Sequence, residues 1–126
     1  MPISHDVDPV TGILEVRRWG HVTSHDEGEA HDARKRDPRV TSGIPMLVDC
    51  ATVEPADSPE TVRYLADRII AHASELACGP VAIVVSSDVE YGMARMFVAM
   101  TELAHPDTGI FRDVAEARAW LLEPHS

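Results

Sequence analysis

A chain of 126 residues makes a single domain with room for one core. Apolar residues supply 44% of it, which excludes a disordered chain, and with two each of Phe, Trp and Tyr the core must rest on aliphatic side chains and five Met. The 21 acidic residues against 11 basic ones leave a formal charge of −10, which excludes a nucleic-acid binder working through a basic face and adsorption to an anionic membrane surface.

The opening "MPISHDVDPVTG" holds no apolar signal core, and no apolar run approaches membrane-spanning length. Cys50 and Cys78 show no CxxC spacing. These features predict a reduced, cytoplasmic protein that is not membrane-embedded.

A short strand is expected over Ile3–Val7, closed by the turn "DPVTG" (8–12), in which Pro9 fixes φ and Gly12 can take positive φ. "ILEVRRWGHV" follows as a second strand, with Leu14 and Val16 alternating with Glu15 and Arg17. Gly20 interrupts that run and predicts a bulge or a close backbone approach. "TSHDEGEAHDARKRD" reads as a solvated helix with Ser24 as N-cap, Pro38 as stop, and Ala30 and Ala33 as nearly all its apolar content.

"PMLVDC" (45–50) is a continuous apolar strand of the kind buried on both faces. A helix is then predicted with Ser58 capping, Pro59 in the first turn and Gly79 ending it. Its stripe is Val62, Leu65, Ala66, Ile69, Ala73 and Leu76. "PVAIVVSS" (80–87) is another buried strand. In the helix after it, Met93, Met96, Phe97, Met100 and Ala104 are expected inward, and Tyr91, Arg95, Val98 and Glu102 outward. "HPDTG" is a loop, "GIFR" a strand, and "DVAEARAWLL" a helix with Asp113 and Glu116 at capping-box spacing. Strands alternating with helices predict an α/β fold: a single domain with a mainly parallel four- to five-stranded sheet flanked by helices.

"IVVSSDVEYGMARMF" has the outline of a phosphate cradle: strand, polar turn, glycine, helix. Ser87 and Glu90 stand at capping-box spacing, which commits the free N–H groups a phosphate would need. Asp88 and Glu90 put negative charge where the anion would sit, and no Lys-Ser/Thr follows. Gly92 shares an edge with Met96, Ala99 and Leu103, so it is expected to admit a neighbouring element. The stretch is a helix start, not a phosphate site.

His25, Glu29, His31 and Asp32 could be drawn as metal ligands, but their spacing matches no zinc motif and their segment is solvated. Cys50, or Ser86 or Ser87 with His105, lacks any nucleophile signature. No catalytic residue, metal or cofactor is therefore assigned. Asp49 sits at the carboxyl end of a central strand, where open α/β sheets place ligands, although holding the next turn explains it better. The methionine stripe, Met96 included, is core by default, yet methionines also adapt to an apolar ligand or partner. Tyr91, Arg95 and Val98 form the candidate contact patch.

The segments "GHVTSHD", "DPRVTSGIPMLVDCATV", "YGMARMFVAMTE" and "IFRDVAEARAWL" resemble the SpoIIAA-like family of STAS/SEC14-domain proteins, from about Ile13 to Leu122. The resemblance implies a sheet flanked by helices and a role in binding rather than catalysis. Relatives of the anti-sigma-factor-antagonist type are switched by phosphorylating a serine in a turn entering a helix. The similar position here is Ser58 in "ADSPET", with Pro59 where those relatives carry glycine. The SEC14 side implies an apolar pocket for a lipid-like molecule, which the methionine helix and the Leu65–Ile69 stripe would line.

The resulting expectation is a non-enzymatic binding or regulatory domain that recognises a protein partner or associates with itself. One alternative is a carrier of a small apolar or lipid-like ligand. Another is a small metal-dependent or hydrolytic enzyme using Asp49, Cys50 or the histidines.

Overall fold

The computed structural model describes residues 2–54, 63, 64, 66, 67, 70, 79–102 and 107–124. In chain order the elements are β1 (Ile3–Val7), β2 (Leu14–Gly20), α1 (Ser24–Arg36), β3 (Met46–Val53), β4 (Val81–Val84), α2 (Asp88–Thr101), β5 (Thr108–Phe111) and α3 (Val114–Leu121). The five strands form one sheet in sequence order. β1 runs antiparallel to β2, and every later neighbour pair is parallel. The sheet is thus mixed, as a tight turn after β1 dictates: a short turn can only reverse the chain, while parallel pairing needs a crossover.

Alternation along the strands builds two cores. Leu14, Val16, Met46, Val48, Val81, Ile83 and Ile110 turn to the face that carries α1 and α2, where Ala30 and Ala94 let the helices come close. Leu47, Ala82, Val84 and Phe111 turn to the other face and meet Val114, Ala117, Trp120 and Leu121 of α3. All four residues of β4 are buried because both faces above it are covered. Between β3 and β4, residues 63, 64, 66, 67 and 70 are helical and Ala66 is buried. The rest of that expected helix, with Ser58, Pro59, Leu65, Ile69 and Cys78, lies outside the described residues.

Several local expectations change. The N-cap of α1 is Thr23, not Ser24: Thr23 Oγ1 accepts from Asp26 N at 3.2 Å and the Asp26 carboxylate accepts from Thr23 N at 2.9 Å. A cap at Ser24 would need Glu27 for its box, and Glu27 is taken by Arg18. At α2, Ser87 Oγ does accept from Glu90 N, at 3.1 Å, but the Glu90 carboxylate reaches one residue further back, to Ser86 N at 2.8 Å. At α3, Asp113 accepts from Ala115 N, at 2.7 Å, instead of closing a box with Glu116.

Helix α2 is also rotated from its expected setting. Tyr91 and Val98 pack against the sheet with Phe97, alongside the buried Glu90, Ala94 and Thr101. Met93, Met96 and Met100 are only half-buried. Arg95 and Glu102 are exposed as expected. The cause is close approach: Ala94 and Thr101 are small enough to seat the helix, and Thr101 returns its hydroxyl to Phe97 O at 3.0 Å. Among the described residues, Gly92 admits no neighbouring element. A Cβ built there meets nothing within 4 Å, and the position is exposed.

Gly79 has a different reason from the one expected of a helix-ending glycine. Its φ is not positive; instead a Cβ would lie 2.4 Å from the carbonyl oxygen of Gly43. The approach is tied by Gly79 N–H donating to Ile44 O at 2.8 Å, at the point where β3 and β4 begin side by side.

Candidate functional site

At the carboxyl ends of β2, β3 and β4, under α1 and α2, lies a polar seam. Arg18 of β2 pairs with Glu27 of α1. Burial opposes the Arg18 charge, but Glu27 outweighs it and holds the guanidinium above its ordinary pKa. Glu90 is 8% exposed and accepts from Ser86 N and Ser86 Oγ, both at 2.8 Å. Cys50 faces this seam. Burial pushes its thiol up to about 11, with Arg18 opposing and Asp49, Glu27 and Glu90 reinforcing the shift. A thiol kept protonated at neutral pH is a poor nucleophile, so the seam reads as a packed polar network.

Three of the described histidines have separate partners. His5 meets Asp37 at 2.9 Å, His21 meets Glu54 at 3.3 Å, and His25 meets Glu29 at 2.8 Å, each with a single carboxylate. Among the described residues no group of three or more His, Cys, Asp and Glu is placed to hold a metal ion. Among them, too, no helix is long and apolar enough to cross a membrane.

The sequence-selected residues are likewise dispersed. Tyr91 carries the Arg112 guanidinium 5.5 Å over its ring, and Arg112 in turn pairs with Asp88. With Tyr91 and Val98 turned inward, only Arg95 of the three patch residues is fully exposed. Met96 is half-buried on the same helix. Asp49 lies on the opposite face of the sheet, paired in register with Arg17 and Val84.

What Asp49 does is local. Between the pairs Arg17–Asp49 and Trp19–Thr52, β3 contains one residue more than β2, which is a bulge. The N–H of Ala51 in that bulge donates to Asp49 Oδ1 at 3.0 Å, and its carbonyl, 2.8 Å from Ser86 Oγ, shares the one hydroxyl proton of Ser86 with Glu90. Two side chains thus reach the backbone groups of the bulge residue. The extra residue brings Thr52 beside Trp19.

That placement completes an open depression on the sheet face. Helix α3 packs on β3, β4 and β5, and its Arg118 reaches Glu15 of β2 at 2.7 Å. Beyond that tie the face carries Ser4, Arg17, Trp19, Gly20 and Thr52, which line a depression of about 540 Å³. Trp19 is 37% exposed. Gly20, at φ +60°, turns the chain away at the rim. The sequence carried a signal for this surface: Glu15, Arg17 and Trp19 share one strand parity, so an aromatic ring stands on the polar side.

The neighbouring edge of the sheet is guarded. The bonds Trp19 N to Pro2 O and Asp8 N to Ile13 O set the alternation that leaves Ile3, His5 and Val7 with their backbone groups on the outer edge. The Val7 N–H is taken by Asp6 Oδ1 at 2.9 Å, and Asp6 is held by Arg39 at 2.8 Å. An edge blunted in this way is a poor template for another strand, which leaves the face as the accessible surface.

No family model matches the chain, and no curated protein matches its sequence. Among solved structures, it is similar to an uncharacterised protein of the DUF3478 family from Shewanella loihica PV-4, described as having a SpoIIAA-like fold. The TM-score is 0.62 at 20% identity, over 94% of this chain and 91% of that one. The mixed five-strand sheet, with helices on both faces, is accordingly a SpoIIAA-like fold.

Proposed function

We propose that the protein is a non-enzymatic binding domain that recognises a partner protein through the part of its sheet face that α3 leaves open. The observation that carries this reading is Trp19, 37% exposed at the wall of a depression. Covering the rest of its ring would remove roughly 90 Å² from water and contribute about 2 kcal/mol, the size of a binding hot spot. The Cys50 thiol, held protonated at neutral pH, supports binding over catalysis. A reducing, cytoplasmic setting goes with the same reading, since Cys50 is a free thiol.

The test is capture of partners on immobilised protein, compared quantitatively between the parent, Trp19→Ala and a control, Val89→Ala, which trims an exposed side chain at the start of α2. Circular dichroism first establishes that each variant is folded. A partner retained by the parent and the control but lost with Trp19→Ala is the expected result. Retention that ignores Trp19, or no retention by the parent, overturns the reading.

A further inference from the structure

We infer that the partner segment received at this depression carries a carboxylate beside a flat apolar side chain. This rests on the reading of the Trp19 face as a partner surface, and deepens it. The lining holds one cation, two hydroxyls and an indole, and no acid. Arg17 forms no ion pair or hydrogen bond among the described residues, and neither do the hydroxyls of Ser4 and Thr52.

The carboxylates that share this face are already engaged. Asp49, the cross-strand neighbour of Arg17, accepts the bulge N–H of Ala51 at 3.0 Å. Glu15 accepts from Arg118 at 2.7 and 3.0 Å. Asp6 is held by Arg39 at 2.8 Å. In a chain of net charge −10, the face therefore presents one uncommitted guanidinium beside an indole. A guanidinium fork is complementary to a carboxylate, and an indole face to a flat side chain.

The complementarity also excludes other occupants. A basic segment would meet Arg17 with like charge. A second copy docked about a two-fold axis through the depression would set Arg17 against Arg17. The −10 charge of the whole protein repels a run of acids at range, so the segment carries one or two carboxylates.

The experiment is a ¹⁵N shift titration with four probes: N-acetyl-Asp-Phe-amide, N-acetyl-Asn-Phe-amide, N-acetyl-Lys-Phe-amide and benzoate. The Asp peptide is expected to move the Trp19 indole N–H and the amides of Ser4, Arg17 and Thr52, and to bind about fivefold more tightly than the Asn peptide, the range of an exposed ion pair. Arg17→Gln should erase that preference. Equal binding of Asn and Asp peptides, tighter binding of the Lys peptide, or shifts centred elsewhere overturns the inference. So does an absence of shifts with any probe at millimolar concentration. Benzoate binding as tightly as the peptide would make the occupant a small molecule, and shifts that follow protein concentration alone would make it a second copy; either overturns the inference. In the capture assay, loss with Trp19→Ala but not with Arg17→Gln refutes the carboxylate while leaving the partner surface standing. Indifference to Trp19 refutes the surface itself.

Discussion

Gly79→Ala and Gly92→Ala make the same chemical change and are expected to have opposite signs. At Gly79 the new Cβ would lie 2.4 Å from Gly43 O, 3.1 Å from Gly43 C and 3.4 Å from Ile44 C, all of them backbone atoms with no rotamer to escape into. Relieving the contact needs roughly 1 Å of separation between the two chains. That displacement also breaks the 2.8 Å bond from Gly79 N to Ile44 O. Overpacking and the lost bond together amount to about 3 kcal/mol, or a fall of about 12 °C in Tm for a chain of this size. At Gly92, exposed on α2 with nothing within 4 Å of the added methyl, helix propensity alone acts and stabilises by about 0.8 kcal/mol. Urea unfolding followed by circular dichroism reads both, with unchanged m values as the control on the unfolded state. A Gly79→Ala variant within about 0.5 kcal/mol of the parent would refute the close-approach argument. Destabilisation by Gly92→Ala would show that another element does reach that edge.

The remaining predictions concern the polar groups. In a Cys78→Ser background, Cys50 should react with iodoacetamide at pH 8 roughly a hundredfold more slowly than free glutathione, because its thiol is pushed up to about 11; a rate equal to the free thiol would contradict the burial assigned to it. Arg39, through its side chain and then its N–H, and then His5, hold the Asp37 carboxyl below its ordinary range. A depressed folded pKa stabilises above the unfolded value near ~3.9 and stops doing so as pH falls through the folded value. Asp37→Asn should therefore flatten the acid limb of the stability curve below about pH 4, and an unchanged limb would assign acid lability to other carboxylates. Glu90→Ala removes the acceptor for Ser86 N and the hydroxyl of Ser86, at a cost of about 2–3 kcal/mol by urea unfolding; a neutral substitution would mean that water replaces the carboxylate.

Strand positions and the mainly parallel α/β architecture were legible because period-two alternation and continuous apolar runs survive in the sequence, as at β2 and β4. Asp49 was expected at the end of its strand, holding the next turn; β3 instead runs on to Val53, and Asp49 holds a bulge inside it. The orientation of α2 was not legible, because two apolar stripes overlap on it and share Phe97. Hydropathy favours the methionines, whereas the sheet selects the stripe with the small residues Ala94 and Thr101. Gly79 and Gly92 were exchanged in role for a related reason: close approach depends on elements distant in sequence, such as the Gly43–Ile44 backbone. The candidate surface was missed because a search for reactive groups passes over an unpaired arginine and a tryptophan on the polar side of a strand. Their meaning comes from where α3 stops.

Which side chain lies beside Trp19 is decided by the bulge rather than by any one residue. Cys50 and Ala51 of β3 stand together against Arg18, and that puts Thr52 opposite Trp19. Straightening β3 with every residue kept would set Ala51 there and turn Thr52 and Val53 each to the opposite face, so a methyl group would take the place of the hydroxyl. Deleting Ala51, by contrast, would remove the bulge and leave Thr52 opposite Trp19. Substitutions along β3 can tune the depression, but a change of register rewrites it on nearly the same backbone.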